Sequence, residues 1–90
     1  MITAMTKTER IQEATRLFYE ICDNNGFIAE DEGFGSWTVF QKGGARSDQM
    51  FQVGRRKFDV CTTFCECEKA LQFARKLEVE MENVKRMMEL

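Results

Sequence analysis

Between Glu66 and Leu90 the apolar residues fall at Cys67, Ala70, Ala74, Leu77, Met81, Val84 and Met88, in a stretch without glycine or proline. The gaps alternate between three and four, the a/d spacing that puts one stripe of a helix against a partner surface. The pattern predicts a long C-terminal helix beginning near Glu66. Glu66 and Glu68 in its first turn, and Lys85 and Arg86 near its end, suit the helix dipole. Glu82 and Arg86 form an i,i+4 pair in the favourable order. The rest of the chain reads as what covers this stripe.

A second helical pattern opens the chain. Thr6 followed by Glu9 fits a capping box, and a helix is predicted from Lys7 to Cys22. Ile11, Ala14, Leu17, Phe18, Ile21 and Cys22 make its apolar stripe, with Arg10, Gln12, Glu13, Arg16 and Glu20 on the wet side. Asp23-Asn24-Asn25-Gly26 stops it, with Asn25 or Gly26 as the left-handed residue past the end. Residues 1–5 carry neither cap nor packing signal and are expected to be disordered, which leaves 6–90 as one domain.

Between the helices the period changes to two. A strand from Phe27 to Glu32 puts Phe27 and Ala29 on one face and Ile28 and Glu30 on the other. Gly33-Phe34-Gly35 reads as a hairpin loop, and a second strand runs from Ser36 to Gln41 with Trp37 and Val39 opposite Thr38 and Phe40. The loop from Lys42 to Asp48 is polar and is expected to be mobile. Beyond it the apolar phase switches. Phe51 and Val53 hold odd positions, whereas Phe58, Val60, Thr62 and Phe64 hold even ones. A bulge at Gly54 would keep one bent strand, and a tight turn at Gly54-Arg55 would make two short ones. The turn is the better fit, because a glycine followed by a polar residue suits a hairpin. The expected fold is α+β. An N-terminal helix, a three- to four-stranded antiparallel sheet and a long C-terminal helix follow in order, with both helices on one face of the sheet.

Composition narrows the chemistry. Ninety residues make one domain, and ten aromatics, eight of them phenylalanine, supply a core of large side chains. The chain has no histidine, which removes the commonest general base and metal ligand at once. Cys61, Cys65 and Cys67, with Cys22, invite comparison with a zinc site, yet Cys22 and Cys67 both lie on helical stripes, where cysteine serves as a small buried apolar residue. A thiol nucleophile at Cys65 or Cys67 would lack its usual histidine and would face Glu66 and Glu68. Glu30-Asp31-Glu32 reads as a solvated hairpin rather than a carboxylate site. No catalytic residue, metal or cofactor is expected. The opening Met-Ile-Thr-Ala-Met has neither a basic region nor a long apolar run, and no segment approaches the ~20 apolar residues of a membrane span. A cytoplasmic protein with reduced thiols is the expectation.

Two surfaces remain as candidates for binding. A C-terminal helix of ~24 residues would span about 36 Å and a first helix of ~16 residues about 24 Å. The last two turns, with Val84, Met87, Met88 and Leu90, are therefore expected to project as a partner surface, for another protein or for a weak two-fold homodimer. The second candidate is basic. Lys42, Arg46, Arg55, Arg56 and Lys57 would form one cluster if the loops meet at one end of the sheet, with Phe51 and Phe58 offering stacking surfaces to single-stranded bases. A net charge of −2, from 13 basic and 15 acidic residues, weighs against a general affinity for nucleic acid.

Phe64, Ala70, Phe73 and Ala74 resemble a closing pattern of small bacterial and phage α+β domains, in which a strand-end aromatic is followed six residues later by an alanine of the docking helix. The element order is similar to that of double-stranded-RNA-binding domains, but Cys65-Glu66-Cys67-Glu68 stands where those open their last helix with basic residues. In size, charge balance and α/β mix the chain is similar to small phage inhibitors, including some anti-CRISPR proteins. The resemblance implies a non-enzymatic protein–protein interaction module of a bacterium or phage that inhibits a host protein by occupying its surface. The alternative is a nucleic-acid-binding domain built on the basic hairpin.

Overall fold

The computed structural model describes residues 4–44, 50–63 and 65–90. Its elements are α1 (Lys7–Asn24), β1 (Phe27–Asp31), β2 (Ser36–Gln41), β3 (Phe51–Gly54), β4 (Val60–Cys61) and α2 (Glu68–Met87). The strands form an antiparallel meander in the order β1-β2-β3-β4, and the fold is α+β as expected. Of the opening segment expected to be disordered, residues 1–3 lie outside the described residues.

The capping box forms as predicted. The Glu9 N–H donates to Thr6 Oγ1 at 3.1 Å, and the Thr6 N–H donates to Glu9 Oε1 at 2.8 Å. The Thr6 backbone bond, and then its side-chain bond, hold the Glu9 carboxyl below the usual range. A depressed carboxyl stabilises the fold at neutral pH, and the contribution fades as the pH falls through the lowered value. Past the end of α1, Gly26 takes the left-handed conformation at φ 79°. Asn25 at φ −104° instead ties the end of the helix through its amide to the Ile21 carbonyl.

Strand alternation sorts the sheet into two faces. Phe27, Trp37, Val39, Phe51 and Val53 all point to the helices and are at most 2% exposed. On that face Phe73 of α2 stacks on Phe27 at 4.3 Å and meets Phe51 at 6.0 Å, while Phe18 of α1 lies 4.4 Å from Trp37. Both helices therefore cover the same face. The opposite face carries Ile28, Thr38, Phe40, Gln52 and Cys61, as the period predicts.

The phase switch is a turn. The Gly54 N–H donates to the Asp59 carbonyl and the Phe58 N–H to the Gly54 carbonyl, both at 2.9 Å, closing a hairpin around Arg55–Phe58. A Cβ added at Gly54 would run into the Asp59 carboxylate. Phe58 changes phase because it is no strand residue. It sits in the left-handed region at φ 54°, which swings its ring under the core, 5.6 Å from Trp37 and 6.1 Å from Phe18. A bulky residue holds that backbone only when its surroundings enforce it, and here the side chain is 2% exposed.

The expectation of projecting C-terminal turns is corrected. The helices run antiparallel. Arg10 Nη1 donates to the Met88 and Glu89 carbonyls at 3.2 Å each, and Lys76 Nζ donates to Asn25 Oδ1 at 3.0 Å. The first turns of α1 thus lie beside the last turns of α2. The end of α2 that outruns α1 is its N-terminal end, and the sheet covers that end through Phe73. Val84 and Met88 are core residues, 7% and 6% exposed; of the four expected surface residues only Met87 and Leu90 are exposed. The seam that suggested a dimer is spent inside the chain. Arg10 also places a positive charge at the negative end of the α2 dipole. Glu82 pairs with Lys85 at 2.9 Å, not with Arg86 as the spacing suggested, although Arg86 still helps to lower the Glu82 carboxyl after Lys85.

Leu77 lies at the centre of this packing and is 0% exposed. Leu77→Ala is expected to cost about 2–5 kcal/mol in chemical denaturation, the range for a core leucine; a loss below about 0.5 kcal/mol would contradict the packing.

Candidate binding surface at the hairpin tips

The two hairpins at one end of the sheet meet. Asp31 organises the β1–β2 turn, its Oδ1 accepting from the Gly33 N–H at 2.9 Å. Gly33 and Gly35 both take positive φ, 78° and 84°, and between them the chain reverses with Phe34 at the apex. The Arg55 N–H, at the start of the neighbouring turn, donates to the Gly35 carbonyl at 2.9 Å. Asp31 Oδ2 holds Arg55 Nη1 at 2.7 Å, and the Arg55 guanidinium lies 5.6 Å from the centre of the Trp37 ring. Below it the Trp37 indole N–H donates to the Tyr19 hydroxyl at 2.8 Å. The platform is therefore tied to both the second strand and the first helix.

What the platform displays is an aromatic ring beside cations. Phe34 is 92% exposed, the most exposed of the large apolar side chains among the described residues. Strand pairing sets Ser36 against Gly54, and the Arg55–Gly35 bond continues that register by one residue. Phe34 and Arg56 each stand one residue from this bond, at the apices of the two turns it joins. Arg56 and Lys57 are exposed and make no ion pair among the described residues. Asp31 is engaged with Arg55, Glu32 has a partner of its own, and Asp59 sits at the base of the turn against Gly54.

The five-cation cluster does not form as expected. Lys42 follows the far end of β2, where it pairs with Asp23 at the close of α1. Arg55 lies at the near end, six strand residues away, or about 20 Å at ~3.3 Å per residue. In a meander, successive loops lie at opposite ends of the sheet, so the loop after β2 and the loop after β3 are held apart. Arg46 falls outside the described residues. Phe51 and Phe58, offered as stacking surfaces, are both 2% exposed and belong to the core. The most exposed aromatic among the described residues is Phe34, which sequence reasoning passed over as a loop residue. In Gly33-Phe34-Gly35 the phenylalanine falls at the middle of the predicted hairpin loop, the point farthest from the sheet, and that was the available signal.

The thiols are distributed, not gathered. Cys22 is buried under α1, and burial pushes its pKa up to about 12. Cys65 is buried, and that burial raises its thiol. Cys67 is the N-cap of α2 and makes no side-chain capping bond. Cys61 is exposed on the face away from the helices, 3.3 Å from Thr63 Oγ1, whose hydrogen bond lowers its thiol pKa. Among the described residues no three histidine, cysteine, aspartate or glutamate side chains gather into a set that could hold a metal ion. No described helix is long and apolar enough to cross a membrane. Set against known proteins, the chain matches no family model, no curated protein and no solved structure.

Thiol reactivity follows thiolate fraction and access. Native alkylation tracked by peptide mass spectrometry should modify Cys61 first and Cys22 last, with unfolding removing the difference. Equal native rates at the two positions would contradict their placement.

Proposed function

We propose that this chain is a non-catalytic protein-interaction module that docks through the paired hairpin tips. One observation carries the reading: the fold leaves the Phe34 ring 92% exposed on a platform braced by Arg55, Asp31 and Trp37. Exposed aromatics beside arginine are the residues that dominate protein interfaces when they become buried. The lack of histidine and the separation of the thiols agree with a module that works by occupancy. Occupying a partner's surface is also how the small phage inhibitors that it resembles in size would act.

A second reading, single-stranded nucleic-acid binding, is favoured by the same neighbours, because a ring and two cations can serve stacked bases and phosphates. The three carboxylates below the apex and the net charge of −2 favour protein instead.

Phe34 makes no ring contact among the described residues, so Phe34→Ala should leave the melting temperature unchanged. The same change should cut partner capture by the immobilised full chain about tenfold, as the loss of a central aromatic anchor does. Capture that is insensitive to Phe34→Ala would overturn the reading. Salt-sensitive binding of a labelled oligothymidine that is lost in Phe34→Ala would replace it with the second one.

A further inference from the structure

The chemistry of the tip is specific enough to describe what it meets. We propose that the tip recognises an acidic protein surface bearing an apolar pocket: the Phe34 ring enters the pocket, and Arg56 and Lys57 pair with carboxylates at its rim. This rests on the protein-interaction reading above.

The charges nearby divide by position. Arg55, Arg56 and Lys57 follow Gly54 around the apex of one hairpin, whereas Asp31, Glu32 and Asp59 sit at the bases of the two. Arg55 is not available to a partner, because Asp31 holds it at 2.7 Å over the Trp37 ring. Arg56 and Lys57 have no such internal partner among the described residues. The Arg55–Gly35 bond joins the two apices, so a surface closing over Phe34 must also meet the neighbouring turn, and covering a cation without a counter-charge is strongly unfavourable. The partner must therefore supply carboxylates where Arg56 and Lys57 land. It must also supply an apolar cavity, since the ring is the only large apolar group that the described residues of the two apices display. A nucleic acid answers the cations less well. A phosphate chain crossing the tip would run past Asp31, Glu32 and Asp59, whereas a compact pair of carboxylates can meet the apex alone.

The test replaces Phe34 with the photoreactive analogue p-benzoylphenylalanine in the full chain, irradiated in a lysate of the cells it comes from. A second chain carries the analogue at exposed Met87. The expected result is a protein adduct from position 34, resistant to nuclease, whose crosslinked peptide lies in a segment rich in aspartate and glutamate. Combining the analogue with Arg56→Glu and Lys57→Glu should lower the adduct about tenfold, and raising the salt from about 0.05 to about 0.5 M should weaken it. Thermal melting of each variant verifies that it is folded. An adduct on a neutral or basic segment, or one indifferent to the charge reversals, would overturn the acidic-surface proposal and leave the interaction reading standing. A nuclease-sensitive adduct, an adduct from position 87 alone, or none from either would overturn the interaction reading itself.

Discussion

The Trp37 indole has a neighbour on every side. Phe18 of α1 lies 4.4 Å away and Phe58 of the β3–β4 turn 5.6 Å away, Tyr19 accepts its N–H, and the Arg55 guanidinium covers the side toward the tips. A large ring buried with its one donor satisfied contributes both area and direction. It joins the first helix to the second strand and gives the ring of Phe58 a surface to rest on. That contact makes a left-handed phenylalanine tolerable, and the turn it closes delivers Arg55 to Asp31 and to Gly35. Without the indole, the two hairpin tips would lose the layer beneath them.

The remaining core follows from that arrangement. Phe18 on Trp37 fixes where α1 crosses the sheet, and Phe73 against Phe27 and Phe51 fixes α2 at the other end. The antiparallel register of the helices then brings Arg10 to the end of α2. The proposed binding role falls to what the core does not absorb. Phe34, Arg56 and Lys57 take no part in packing, yet they stand on backbone held by the packed residues.

Much of this was legible in the chain. The capping box of Thr6 and Glu9 and the period-two faces of Phe27–Ala29 and Trp37–Val39 are local patterns that formed as read, and the strand break after Gly54 formed too, although its turn spans Arg55–Phe58 rather than Gly54-Arg55. What failed depended on relations between distant segments. The seam ending at Val84 and Met88 was correctly apolar, but periodicity does not say which end of a helix its neighbour covers. The basic residues were correctly surface residues, but grouping Lys42 with Arg55 ignored that one six-residue strand separates them. Phe58 misled because alternation assumes extended backbone, and its φ of 54° breaks that assumption. Phe34 was missed because a loop was read for its glycines and not for what stood between them.

Trp37 is the single tryptophan of the chain and is 2% exposed, so its fluorescence reports directly on the contact from which the account is built. The native protein should emit at the short-wavelength end of the tryptophan range and resist quenching by acrylamide, and denaturant should shift the emission to the red and open it to the quencher. Emission from the native protein already at the denatured position, with full quenching, would show the indole in water and contradict the structure at its centre.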